Sequence, residues 1–254
     1  MKNIDIIEVR PESVMQETLF CVKNTKSDAF KLKQAWFNER FKEGLCIKIL
    51  KNDVGKPLAF IEYVPIEYAW RPVRATNLLF IHCMYVYANK DKRLGLGSQL
   101  IQHCETEALN KGMCGVAVMS SKGSWMADKR LFEKNGFTQV DQFGRFELLV
   151  KKFDFLCPDP ELIDWTANWK DYQGWHLVYA DQCPWHDKSV QAIKKVADEL
   201  GFHIEIKKIT TSKEAQLAPS GFGSFSLLRD GKLIEDHYLS ETRFRNIVKK
   251  EMHI

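Results

Sequence analysis

The sequence predicts an α/β (α+β) protein in two parts, a larger mixed unit followed by a small one. Three observations predict it. Strand-like apolar runs alternate with helical patterns over residues 1–152. A basic glycine stretch, KDKRLGLGSQLIQHCETEA, opens a helix directly after an apolar run. The pattern then breaks over 153–172 and resumes at 173–254 as a shorter βαββα order.

The opening IDIIEV predicts a strand, and residues 12–42 carry helical patterns that end near Lys42. LCIKILKN and PLAFIEYVPI read as strands joined by a turn at Asn52–Pro57. NLLFIHCMYVYA is apolar enough for a central strand, with His82 sharing a face with Phe80 and Met84, opposite Ile81, Cys83 and Tyr85. The Gly95 helix follows, then CGVAVMSS as a buried strand. A helix from about Ser124 to Lys134 stops at Asn135-Gly136. FTQV and FELLVKKF supply two short strands. DFLCPDPELIDWTANWKDYQG lacks sustained periodicity and reads as a connector packed through its tryptophans. Beyond it, WHLVYA is a strand, DKSVQAIKKVADELG a helix and FHIEIKKI a strand. FSLLRDGKLIEDHYL is a hairpin turning at Asp230-Gly231, and TRFRNIVKKEM a closing helix.

Composition excludes several function classes. A net charge of +4 suits an anionic small ligand and is too weak to argue for nucleic acid. No apolar run approaches the roughly 18 residues of a membrane span, and MKNIDIIEVRPES lacks a signal-peptide core. Seven scattered cysteines without a CxxC pair suggest reduced thiols in a cytoplasm.

The glycine stretch carries the first chemistry. Amides at a helix N-terminus attract anions, and glycines let a phosphate approach the backbone. Lys92 and Arg93 add positive charge. A tight strand-to-helix turn with solvated lysines gives the same local pattern, so the surrounding order decides. KRLGLG, the strand before it, the helix after it, CGVAVMSS and LFEKNGF follow one another as in the GNAT acetyltransferases, which residues 1–152 resemble. The resemblance implies acetyl-CoA as cosubstrate, beside strand 78–87. Tyr85, Val86 and Tyr87 would hold the pantetheine and thioester, and Lys92, Arg93, Leu94, Gly95, Leu96, Gly97 and Ser98 the pyrophosphate. Lys92 replaces the family's usual Arg or Gln. Phe132 stands four residues before Gly136-Phe137, where the family often has a tyrosine acid; it would pack near the cofactor sulfur without donating a proton. With its tail, the chain resembles proteins that join a GNAT domain to a YoaP-type domain.

Acetyl transfer to an amine needs a base, an oxyanion donor and an acid. Glu62, His82 and Tyr85 are the catalytic candidates. Glu62 sits in a mostly apolar strand, where a carboxylate is expensive unless bonded. A histidine starts near the right pKa, although His82 also suits a satisfied core position and Tyr85 a packing one. Glu67, Trp70 and Arg71, from EYAWRP, form an aromatic and charged cluster suited to binding substrate, or to ordinary cation–π packing. The expected partner is a small-molecule or peptide amine, with transfer in a ternary complex. A homodimer is compatible with this; nucleic acid and membrane partners are not expected.

In the tail, Cys183 follows a strand and precedes a helix, as in thioredoxin-like folds. His186 stands at the second cysteine position, and Gly223-Ser224 where that fold usually has Pro-Thr. The helix start and His186 predict a lowered thiol pKa; a purely structural tail is the alternative. Cys183 and His186 are half a zinc site, so no metal is expected. A non-catalytic acyl-CoA-binding sensor and a thiol- or metal-handling protein are the rival readings.

Overall fold

The computed structural model describes residues 4–88, 94–123 and 125–253. In chain order the elements are β1 (Ile4–Val9), α1 (Val14–Glu17), α2 (Asp28–Phe41), β2 (Cys46–Asn52), β3 (Pro57–Pro65), β4 (Val73–Arg74), β5 (Leu78–Val86), α3 (Leu96–Asn110) and β6 (Gly115–Ser121). They continue with α4 (Lys129–Lys134), β7 (Thr138–Phe143), β8 (Phe146–Lys152), β9 (Glu161–Leu162), β10 (Trp175–Tyr179), α5 (Trp185–Leu200), β11 (Ile204–Lys208), α6 (Ser212–Gln216), β12 (Phe225–Arg229), β13 (Lys232–Glu235) and α7 (Glu241–Met252).

Seven strands form one sheet in the order β1-β2-β3-β5-β6-β8-β7, and four form a second in the order β11-β10-β12-β13. Neighbours are antiparallel except β5 with β6 and β10 with β11. The connector is less separate than its sequence suggests, because its β9 pairs with β4.

On one face of the large sheet, α3 buries Leu100, Ile101 and Cys104 against Leu79, Ile81, Val116 and Val118. The opposite face is shared. Over β3, α2 brings Phe30 and Phe37, and the second sheet brings Val178 and Leu228. Over β5, β6 and β8, Phe80, Met119 and Leu148 meet Leu177, Val190, Ile193 and Phe225 from the tail. Each large apolar side chain buried this way contributes roughly 1.5–3 kcal/mol. The two sheets therefore share continuous cores.

Several local expectations change. The helical run over 12–42 breaks at Thr18 and Phe20, which take positive φ of 64° and 56°, and restarts where Ser27 caps α2 by accepting from the Phe30 N–H. The helix expected from Ser124 starts at Lys129, because Asp128 accepts the Arg130 N–H at 2.9 Å. The tail gains α6, fixed by a capping box between Thr211 and Glu214. Cys114 and Cys157 are joined in a disulfide, against the expectation of seven free thiols. Among the described residues, no helix is long and apolar enough to cross a membrane.

The change that matters most is a bulge. Glu62 pairs with Cys83, but its neighbour Tyr63 pairs with Ile81, so His82 is an extra residue in β5. Alternation flips there. Ile81 packs toward α3, and beyond the bulge Met84 and Val86 do so, while Cys83 joins the α2 face. The expected grouping of His82 with Met84 is corrected accordingly.

Candidate active site

The two parallel central strands stay together for only four pairs. Leu78–Ile81 of β5 pair with Gly115–Val118 of β6. Beyond that, among the described residues, 83–86 pair only with β3, and Met119–Ser121 only with β8. The sheet is split into a gap with an open strand edge.

The start of α3 lies beside this gap. Gly95 is its N-cap, with φ 81° and ψ 0°, a left-handed conformation that glycine takes without steric cost. Among the described residues, nothing lies within 4 Å of where a Cβ would sit on Gly95. Gly97 is different: a Cβ there would meet Leu131 at 3.3 Å and the Met84 methyl at 3.6 Å. That closeness holds α3 against β5. Ser98 accepts from the Asn135 amide at 3.0 Å, tying α4 to the same helix end. Leu94 is exposed and Leu96 buried. Lys92 and Arg93 lie outside the described residues. Tyr85 and Tyr87 are about half exposed, at 50% and 54%. The Tyr87 amide donates to the Leu58 carbonyl, and Lys23 lies over its ring. Phe132 is fully buried under α3 and stacks edge-on against Phe137.

Behind the gap, on the face that α2 and the tail cover, lies a buried polar cluster. Glu62 is its centre. Its Oε2 accepts from Lys33 at 2.6 Å, and its Oε1 from Gln182 at 3.2 Å. His82 accepts the Trp70 N–H on Nε2 at 2.8 Å, so its proton sits on Nδ1, 3.5 Å from Glu62 Oε1. Burial alone would push the Glu62 carboxyl up; Lys33 and His82 outweigh it and hold it at about 2. Burial pushes His82 down to about 4, so its ring is neutral with its one lone pair already used. Arg71, pushed down by burial to about 10, remains a cation at neutral pH. Its Nη1 donates to the Trp70 carbonyl at 2.8 Å, to Gln182 at 3.0 Å and to Ser224 at 3.5 Å. Trp70 is buried against Trp36. Glu67 stands apart, exposed, and its carboxylate accepts the Asn77 N–H at 2.7 Å.

Cys183 belongs to this cluster, within electrostatic range of Lys33, Glu62, Arg71 and Cys83. Its thiol is shifted the opposite way from the sequence expectation. Burial raises it, and the Trp185 amide and Lys33 offset only part of that. His186 does not assist. Its Nδ1 donates to the Ala180 carbonyl at 2.8 Å, its ring packs on Phe225, and burial pushes it down to about 4. Alkylation of Cys183 is therefore expected to have a midpoint above the ~8.5 of a free cysteine. Replacing His186 by alanine should leave that midpoint in place. Labelling rate against pH, read on the Cys183 peptide by mass spectrometry, checks both. A midpoint below that of a free cysteine would refute the burial argument.

Sequence reasoning missed Lys33, Gln182 and Ser224. Lys33 carried a signal, since it sits at i+3 from Phe30 and i−4 from Phe37 on the buried stripe of α2. Among the described residues, Glu8, Cys46 and Glu107 form a group of potential metal ligands. Lys48 fills it, 2.7 Å from Glu8 and 2.5 Å from Glu107.

Residues 12–137 match the acetyltransferase (GNAT) family model, and residues 204–246 match a YoaP-like model. An uncharacterized N-acetyltransferase, YoaP, of Bacillus subtilis (strain 168) is 25% identical over 95% of this chain and 97% of its own. Among solved structures, a GNAT-family acetyltransferase of Staphylococcus aureus Mu50 is 12% identical with a TM-score of 0.43, covering 60% of this chain and all of its own. The PaiA N-acetyltransferase of Thermoplasma acidophilum, solved in complex with coenzyme A, is 14% identical with a TM-score of 0.39, over 59% of this chain and 99% of its own. By these matches the chain resembles the GNAT acetyltransferases over residues 12–137 and YoaP-like proteins over residues 204–246.

Proposed function

We propose that the protein is an acetyl-CoA-dependent N-acetyltransferase that transfers the acetyl group directly to an amine in a ternary complex. The observation that carries it is the gap between β5 and β6, opening beside the glycine-capped start of α3 within the family-matched segment. The name of the Bacillus relative agrees. In this reading the domains are 1–152 and 173–254, with 153–172 between them. The tail is thioredoxin-like, which its strand order β11-β10-β12-β13 and the position of Cys183 between β10 and α5 support.

The chain's own residues divide the work. The free amides at the start of α3, with Lys92 and Arg93, would hold the pyrophosphate. The open edge of β5 at Tyr85 and Val86 would hold the pantetheine and donate to the thioester oxygen as it gains charge. Acetyl-CoA supplies the thioester. Tyr85 is the candidate to exchange a proton with the reacting atoms. Glu62 has Lys33 and Gln182 bound, and His82 has no lone pair to spare, so both act as positioning residues behind β5. A non-catalytic acyl-CoA binder is the second reading, drawn from Phe132, which has no proton to give. Release of CoA in the presence of amines separates the two.

Gly95→Asp tests the binding site. Open space and the tolerance of aspartate for left-handed φ predict that the fold survives. A carboxylate facing the pyrophosphate is expected to weaken acetyl-CoA binding by about tenfold or more. Calorimetry with unchanged affinity in this variant would move the cofactor elsewhere.

A further inference from the structure

The buried charges behind β5 do not balance. Lys33 and Arg71 are cations, Glu62 is the anion, and burial keeps His82 and His186 neutral. Glu62 is taken by Lys33 at 2.6 Å. Asp236, another acid within electrostatic range of Arg71, is taken by Arg145 at 2.5 Å. Among the described residues no carboxylate pairs with Arg71, although it is only 4% exposed. An unpaired buried cation is costly.

The hydrogen bonds show the same vacancy in direction. All three protein acceptors of Arg71 use Nη1. Among the described residues, Nε and Nη2 have none. The ring of Phe222 lies 4.7 Å from the guanidinium and fixes its plane. Two of the three acceptors, Gln182 and Ser224, come from the tail. Gly223, beside Ser224, is pressed so close that a Cβ would lie 2.6 Å from the Trp70 carbonyl. The tail thus orients Arg71. Cys83, the largest electrostatic neighbour that Arg71 has, belongs to the strand that borders the gap.

We infer that Arg71 is an anion anchor for the acceptor, built jointly by the two units, and that the acceptor is an amine bearing a carboxylate. The inference rests on the acyltransferase reading for the amine, and on Arg71 alone for the carboxylate. A planar fork with two adjacent N–H groups free matches a carboxylate bidentately. Gln182 bridges the cationic and anionic halves of the cluster, its Oε1 on Arg71 and its Nε2 on Glu62. It lets one cation stay unpaired beside a satisfied pair.

Matched pairs test this with the full chain. L-Phenylalanine is compared with phenethylamine, L-lysine with cadaverine, and L-methionine with 3-methylthiopropylamine. Each is titrated calorimetrically, and each is assayed for CoA release with acetyl-CoA. At least one amino acid is expected to bind about tenfold or more tightly than its own amine. Arg71→Met is expected to erase that preference and leave acetyl-CoA affinity unchanged. Gln182→Glu, a change of nearly equal size, gives Arg71 an internal carboxylate at the cost of the hydrogen bond to Glu62 and should erase the preference too; it serves if Arg71→Met does not fold. A panel in which no amino acid outbinds its amine overturns the inference, as does a preference that survives both variants. A chain that keeps the preference but does not bind acetyl-CoA overturns the acyltransferase reading alone.

Discussion

Replacing Lys33 by methionine is expected to cost about 3–5 kcal/mol of stability at pH 7, because it strands a buried carboxylate. Lys33 and Glu62 are 4% and 2% exposed and lie 2.6 Å apart, so water cannot take over the role of the ammonium. The pH dependence carries a sharper signature. Glu62 titrates at about 2 in the folded chain against 4.5 when unperturbed. A carboxyl lowered on folding adds stability above its unfolded pKa, and that stability is lost as pH falls from 4.5 toward 2. Without Lys33, burial is the largest remaining influence, and it pushes the carboxyl up. The contribution of Glu62 then reverses, and the variant should regain stability on acidification from neutral pH. Urea melts across pH 3–7 read both effects. Adding Glu62→Gln to the variant should recover part of the loss. A variant with the wild-type pH profile would remove Lys33 as the counter-ion.

The second large effect is expected at Gly223. Its φ is +72°, and a Cβ would stand 2.6 Å from the Trp70 carbonyl and 3.0 Å from the Arg71 Cα. Gly223→Ala therefore combines left-handed strain of roughly 1–2 kcal/mol with overpacking of roughly 1–3 kcal/mol. Gly174 is the control. Its φ is +75° but nothing lies within 4 Å, so Gly174→Ala pays the strain alone. Thermal or denaturant unfolding should rank Gly223→Ala well below Gly174→Ala. Equal losses would mean that the tail yields at this contact without cost.

Much of this was legible before any coordinates. The apolar runs of β3, β5 and β6 read as strands, and GLG before a helical stripe reads as the start of a helix, which Gly95 caps. Glu62 stood out as a charge in an apolar strand, and Arg71 as a cation among aromatics. The bulge at His82 was not legible. It depends on pairing between β3 and β5, and strict alternation gave the wrong face for Met84 and Cys83. Cys183 misled for a related reason. Its local signals favour a thiolate, while its burial against another part of the chain sets the opposite direction. Gln182 and Ser224 carry no local mark, since their partner Arg71 lies 111 and 153 residues away. The Cys114–Cys157 pairing spans 43 residues with no motif to announce it.

The shared cores also set an order of events during synthesis. The face of the large sheet that carries Phe80, Met119, Phe146 and Leu148 is covered by Leu177, Val190, Ile193 and Phe225, all made later. Until they emerge, that face has no cover. Phe225, the last of these, stands about seventy residues beyond the end of β8, so at ~5–20 residues per second the wait is roughly 4–15 s. Through that interval the nascent chain shows an apolar wall to other chains and to chaperones.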